Sequence, residues 1–352
     1  MDSPDICIAG AGIIGLTLAL ELHDRGARVT VLDQGEPLSE ASTAAAGMLA
    51  ADDPDNPPEL YPLSNLSREI YPQFLDRLFE LSGTFVPFQT TTTLQKIHST
   101  KTAQDLTLLD AETLSLLLPQ LKAGDCRFAL LSEHSLDPRE LAKALYAAVA
   151  STRIDLRSHV PVRQIQSGSQ GVEVHTSSEV LHASRIVDCT GAWGVQPSPE
   201  RVRTLPRKGQ MLAVRLPQSL PLHVVVRTGD IYIVPRTTGK MAGRAVIGAT
   251  VEDAGFDKTV QADEILRLRQ RATELLPDLA EAEEVETWAG LRPGTSDGLP
   301  LLGAVAENHF LAAGHYRNGI LLAPATGLVM AQILSGEDPD VDLSAFSPLR
   351  HG

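Results

Sequence analysis

Cysteine is scarce. The chain has three in 352 residues, Cys7, Cys126 and Cys189, odd in number and far apart. They make no CxxC pair and no metal-ligand spacing, which speaks against a disulfide framework or a thiolate metal centre and for a reducing, cytoplasmic setting. Cys7 and Cys189 sit in apolar, strand-like runs and read as small core residues. Positive charge is short too: 30 Lys and Arg against 44 Asp and Glu leave a net charge of −14. Neither nucleic acid nor an anionic membrane surface would attract such a chain, so both are excluded as partners. Long apolar runs are missing at the start, where MDSPD is acidic and the stretch behind it is short and broken by glycines. Neither a signal peptide nor a membrane span is expected there. What remains is a soluble composition, 43% apolar and 21% charged, in a chain long enough for two domains or one large, interrupted one.

The first thirty residues carry a pattern with a mechanism. Ile6 to Ala9 reads as a strand, Gly10, Gly12 and Gly15 form GxGxxG, and Leu16 to Arg25 continues as a helix closed by Gly26. A second strand, Arg28 to Leu32, ends at Asp33, which lies 18 positions beyond Gly15. In this context Gly10 makes the turn, Gly12 lets backbone reach a pyrophosphate, and Gly15 lets helix pack on strand. The helix start would bind phosphates and Asp33 a ribose. No arginine stands beside Asp33 to receive a 2′-phosphate, so NAD or FAD is the ligand. The small-residue run Ala41 to Leu49, with Ser42 and Thr43, suits either a ring pressed against it or close helix packing.

Asp52 to Pro62, rich in proline and acids, reads as a surface loop, and Leu66 to Leu81 as an amphipathic helix. Thr90 to Thr93 is β-prone and Leu106 to Leu118 helical. Asp137-Pro138-Arg139-Glu140 opens a helix with an acid cap, a proline at the first position and a glutamate three beyond the cap. Ile154 to Leu156, Val160 to Ile165 and Val172 to Thr176 follow as strands, then Ser184 to Cys189 runs into TGAW. An inserted hairpin before a strand ending in TGAW favours FAD over a plain NAD dehydrogenase. Between Pro206 and Gly255 four strands suggest an antiparallel sheet over the flavin face, with Tyr232 alternating out of its apolar set. Ala262 to Leu276 is a helix ended by Pro277.

Trp288 to Gly327 is the most informative stretch. Arg292 and Arg317 lie among glycines, prolines and apolar residues rather than in a charged run. An arginine in a dry wall keeps its charge and offers a planar fork suited to a carboxylate. An arginine pair serving ordinary loop carbonyls is the competing reading, and the dinucleotide signature at the other end of the chain weighs against it. After Gly319 a helix is expected, with Pro324 in its first turn and Leu328, Ala331 and Leu334 as an apolar stripe. Its positive end would aim at the glycine loop.

Together GAGIIG with Asp33, STAAAGML, DPREL, TGAW, KGQM, YIVPR, WAGLRPGTSDGLPLLG and GHYRNGILLAPATG resemble the glycine oxidase branch of the D-amino-acid oxidase-like flavoproteins, often tied to thiamine biosynthesis. The resemblance implies an α/β fold: a doubly wound, Rossmann-like FAD-binding domain (1–84, 134–204 and 286–352) with an antiparallel-sheet α+β substrate domain (85–133 and 205–285). It implies non-covalent FAD, since no cysteine follows Cys189 to attach a flavin. Arg292 resembles the carboxylate clamp, assisted by Tyr232, with Arg317 nearby. Gly10, Gly12, Ile13, Ile14, Gly15, Asp33, Gln34, Ser42, Thr43, Ala46, Gly47 and Met48 are the implied FAD contacts of the first segment. Val162, Thr190, Gly191, Trp193, Gly290 and the loop His315, Tyr316, Arg317, Asn318, Gly319, Ile320 and Leu321 complete that set. The implied reaction oxidises a small amino acid with O₂ to the oxo-acid, ammonia and H₂O₂. No side chain stands out as an obligatory base, and His315, the nearest, reads as structural. No metal is implied, and a homo-oligomer, a tetramer in many members, is. Sarcosine, proline or a larger D-amino acid as substrate, a dehydrogenase of the same fold, and a flavin-binding subunit without turnover remain alternatives. Asp52 to Tyr61 matches no part of the pattern and borders the entrance that the resemblance implies.

Overall fold

The computed structural model describes residues 3–97, 106–194 and 203–350. One six-stranded sheet runs in the order Leu301–Ala306, His309–Ala313, Arg185–Asp188, Ile6–Ala9, Val29–Leu32 and Asp155–Arg157. All its pairs are parallel except the Leu301–Ala306/His309–Ala313 edge. Ile6–Ala9 is buried along its whole length because both faces are covered. Ile6 and Ile8 pack into the helices Ile13–Asp24, Pro138–Ala150 and Gly319–Ser335. Cys7 and Ala9 pack instead against Val172, Val174 and Ala183 of the three-stranded antiparallel sheet Val162–Gly168, Gly171–Thr176 and Val180–Ala183. Strand alternation thus gives each layer its own half of the side chains.

A seven-stranded sheet runs Glu283–Gly294, Leu205–Arg215, Arg244–Gly248, Tyr232–Arg236, Val225–Arg227, Thr93–Ile97 and Arg127–Leu131. One face, with Leu212, Val214, Ile233 and Ile247, is sealed by Ile265, Leu268 and Ala272 of the helix Ala262–Leu275. The other presents Met211, Val225, Val234 and Val246 towards Ala44, Ala46 and Met48.

The strands expected between 206 and 255 do pair antiparallel, and the sheet then extends by a parallel contact of Val225–Arg227 with Thr93–Ile97. Several expectations change. Glu283–Gly294 pairs with Leu205–Arg215 as far as Gly294, so residues 286–294 belong to the large sheet, and a boundary at 285 cuts a strand. Leu106 to Asp110 is not helical; the helix is Ala111–Leu117, because Asp110 caps it by accepting from the Thr113 N–H at 2.7 Å. Asp52 to Pro62 is not a surface loop throughout: Asp53 and Asn56 are buried, and the following helix already begins at Tyr61. Gly319–Ser335 is buried nearly all round rather than striped, which follows from its place between sheet and helices.

Pro324 lies beyond the first turn of that helix. Proline has no N–H, so the Ile320 carbonyl four residues earlier loses its intrahelical donor. Tyr71 Oη donates to it at 3.1 Å. Ser67 Oγ donates to Leu321 O at 2.6 Å and accepts from Ala325 N at 3.3 Å, bridging the next rung. The helix Tyr61–Ser82 therefore repairs the start of Gly319–Ser335, and losing one such donor would cost about 1–3 kcal/mol.

Candidate active site

A cavity of about 610 Å³ lies outside the carboxyl ends of the parallel strands, where Ala9, Cys189 and Ala312 line it, and extends to the face of the large sheet, where Met211, Tyr232 and Arg292 line it. Ligands of open α/β sheets bind at such strand ends. Of the residues expected at a cofactor or substrate, all line this cavity except Gly15, Thr43 and Leu321. Those three stand behind the wall for identifiable reasons. Gly15 packs so closely that a Cβ would overlap the Gly10 carbonyl, Thr43 Oγ1 donates to Leu38 O at 3.0 Å, and Leu321 is buried among the helices.

The nucleotide end is made by backbone. Gly10 turns at φ +105°, and a Cβ there would overlap the Cys189 carbonyl. Gly12 caps the helix Ile13–Asp24 without a side-chain acceptor, leaving opening N–H groups for an anion; that of Ile13 donates to Ser42 Oγ at 3.0 Å. Asp33 accepts from the Ala11 N–H at 2.6 Å and the Gly35 N–H at 2.8 Å, so it fixes the glycine turn besides facing the cavity. Burial pushes its carboxyl above the usual range, against the pull of those two donors. A carboxylate has further lone pairs for a ribose.

The substrate end is made by side chains in slots. Arg292 leans diagonally across the ladder over Gly209, whose missing Cβ would otherwise overlap the guanidinium. Nη1 donates to Thr250 O at 3.1 Å, and Arg292 makes no ion pair among the described residues. Tyr232 lies opposite Gly248, where a Cβ would sit 2.6 Å from the phenol oxygen. Burial raises the Tyr232 hydroxyl pKa, opposed by the neighbouring, hydrogen-bonded Arg292, so the phenol keeps its proton. Strand glycines mark such close approaches, the one signal by which Gly209 and Gly248 were findable.

The loop 315–320 completes the wall. Tyr316 adopts φ +48°, held by its N–H to Pro293 O at 2.9 Å, and Asn318 N–H returns to His315 O at 2.9 Å. His315 is 4% exposed, with Nε2 3.0 Å from Thr326 Oγ1. Burial lowers its pKa to about 3, which leaves a neutral imidazole of little basicity. Asp53 and Arg227 also line the cavity and carried no local signal, since an acid in a proline-rich loop looks like surface.

Against this geometry, the chain matches the family described as FAD dependent oxidoreductase over residues 5–333. It is 34% identical over 370 aligned positions to a glycine oxidase of Geobacillus kaustophilus, covering 99% of this chain and 97% of the relative. The crystal structure of glycine oxidase from that organism superposes with a TM-score of 0.92 at 33% identity, covering all of both chains. A bifunctional ThiO/ThiG protein of Trichormus variabilis is 36% identical over 97% of this chain, which spans about half (54%) of that longer relative.

Proposed function

The chain belongs to the FAD-dependent oxidoreductase family, and from that premise we propose that it oxidatively deaminates glycine or a comparably small amino acid. Glycine, water and O₂ become glyoxylate, ammonia and H₂O₂. The residues present fit FAD: a bare glycine backbone at a helix start, a half-buried carboxylate at the end of the second strand, and a cavity continuing to the large sheet. Gly10, Gly12 and Ile14 would hold the pyrophosphate, Asp33 the ribose, and Ala46, Gly47, Met48 and Gly290 the ring system. Bound there, FAD would supply the redox chemistry, accepting a hydride from the substrate α-carbon and passing the electron pair on to O₂.

The remaining work falls to side chains. Arg292 binds the substrate carboxylate and so fixes the direction of the α-C–H bond; such orientation is a large part of catalysis. Tyr232 accepts from Arg292 and keeps its own proton for a second bond to that carboxylate. The apolar wall of Met48, Met211 and Ile320 excludes water while the amine is oxidised. Water then hydrolyses the released imine. We assign the six-stranded sheet to the cofactor and the large sheet to the substrate. A role in thiamine thiazole synthesis, a cytoplasmic location and a homo-oligomer complete the proposal. Among the described residues no helix is long and apolar enough to cross a membrane.

The observation that carries this reading is Arg292, cavity-facing, seated in a glycine slot beside a protonated phenol and free of any described acid. Anaerobic titration of the yellow protein with glycine tests it. We expect the flavin band to bleach and to return with stoichiometric H₂O₂ on admitting air. In Arg292→Gln the glycine concentration for half-bleaching should rise at least a hundredfold. Colour that survives saturating glycine, sarcosine and D-alanine alike would end the proposal.

A further inference from the structure

Arg292 is not alone at the substrate end. Arg227 and Arg317 also line the cavity, and both are already answered by acids. Asp53 Oδ2 lies 3.4 Å from Arg317 Nη2 and 3.8 Å from Arg227 Nε. Glu133, 1% exposed, takes the other side of Arg227, Oε2 to Nη1 at 3.0 Å. Two guanidinium groups and two carboxylates make the cluster neutral. Of the two acids only Asp53 faces the cavity.

Asp53 is held there rather than left to drift. Its Oδ1 accepts the Asp55 N–H at 3.0 Å and its carbonyl the Asn56 N–H at 3.0 Å. Asn56 Nδ2 donates to Ala50 O at 2.9 Å, and Asn318 Nδ2 donates to Asn56 Oδ1 at 2.9 Å. The segment 50–56 is therefore tied to the loop that carries Arg317.

We propose, resting on the amine-oxidase reading above, that Asp53 sets the substrate class: by occupying Arg227 and Arg317 it admits amines with one carboxylate and turns away those with two. A second substrate carboxylate would meet the Asp53 charge and would have to displace an existing pair. Specificity can be built by such repulsion as well as by attraction. Neutralising Asp53 leaves the cluster one positive charge in excess, at the wall a second acid would approach.

The test uses holoenzyme and two matched pairs. Sarcosine and iminodiacetate differ as substrates by one carboxylate; their ether counterparts methoxyacetate and diglycolate are not oxidised and report binding through the flavin spectrum. Wild type should favour the monocarboxylate in both pairs. Asp53→Asn should raise the iminodiacetate-to-sarcosine ratio of kcat/KM, and the diglycolate-to-methoxyacetate affinity ratio, at least tenfold. Asp53→Glu should stay within threefold of wild type. Ratios that stay within twofold in Asp53→Asn, with FAD content intact, overturn the proposal. Should that variant fail to hold FAD, Arg317→Gln, at a side chain 40% exposed, tests the same idea with the opposite sign. It leaves the cluster negative and should lower the diglycolate ratio at least threefold; no change or a rise overturns the proposal. A wild type that oxidises no small amine yet shows the ligand ratios removes the oxidase reading and leaves Asp53 its role. Binding of neither ether counts against both.

Discussion

The two ends of the cavity are built from different parts of the chain. At the nucleotide end the chemistry is in the main chain: glycines that admit a carbonyl, N–H groups at a helix start, and Asp33 tightening the turn through the Ala11 N–H. At the substrate end it is in long side chains, Arg292 and Tyr232, laid over glycines of neighbouring strands. A backbone site is continuous with the fold, so damage to it spreads. A side chain lying in a slot can be moved while the sheet beneath it stays paired.

Gly15→Ala tests the first half of this contrast and should have the largest effect. The new Cβ would overlap the Gly10 carbonyl, which belongs to backbone and cannot swing aside. Helix and strand must separate, at a cost of about 1–3 kcal/mol for overpacking alone. We expect a protein that purifies with less than a tenth of its FAD and melts at least 5 °C lower. Full flavin content and an unchanged melting temperature would show that the two ends are equally tolerant.

This contrast also explains what was legible in the sequence. GAGIIG and Asp33 are local, and their spacing encodes a strand, a turn and a helix without reference to the rest of the chain. Arg292 and Tyr232 were legible through resemblance, but their glycine partners Gly209 and Gly248 sit 83 and 16 positions away in sequence and meet them only when the sheet pairs. The same holds for Pro324, which orphans the Ile320 carbonyl that Tyr71, more than two hundred positions earlier, serves. Asp53 was least legible, because its partners Arg227 and Arg317 come from two other elements and its own neighbourhood reads as solvent-facing loop.

His315 lies buried in the cavity wall, and it separates packing from chemistry. Its pKa is lowered to about 3 by burial, below the ordinary 6.5, so between those values the unfolded chain binds more protons. Stability must therefore fall as pH drops from about 6.5, by about 2 kcal/mol at pH 5 from this group alone. Denaturant titrations should show a loss of stability between pH 7 and pH 5 that is about 2 kcal/mol smaller in His315→Gln than in the wild type. The acid limb of the kcat/KM profile should survive the substitution. If that limb disappears with the imidazole, His315 takes part in the chemistry.

Gly209→Ala probes the other half of the contrast and should have the smallest effect. Here the added Cβ would overlap the Arg292 guanidinium, which is the far end of a flexible side chain rather than backbone. The guanidinium can retreat, the Gly209–Gly290 register can persist, and FAD content and melting temperature should match the wild type. What changes is where the fork sits. A Cβ overlapping Nη1 forces the fork back by about an ångström, which weakens a two-point bond to a carboxylate without abolishing it, so kcat/KM for glycine should fall about tenfold, mostly through KM. Arg292→Gln in the Gly209→Ala background should then add less than it does alone, because the same contact is already impaired. Full additivity of the two substitutions would mean that Gly209 acts through something other than the slot it leaves for Arg292.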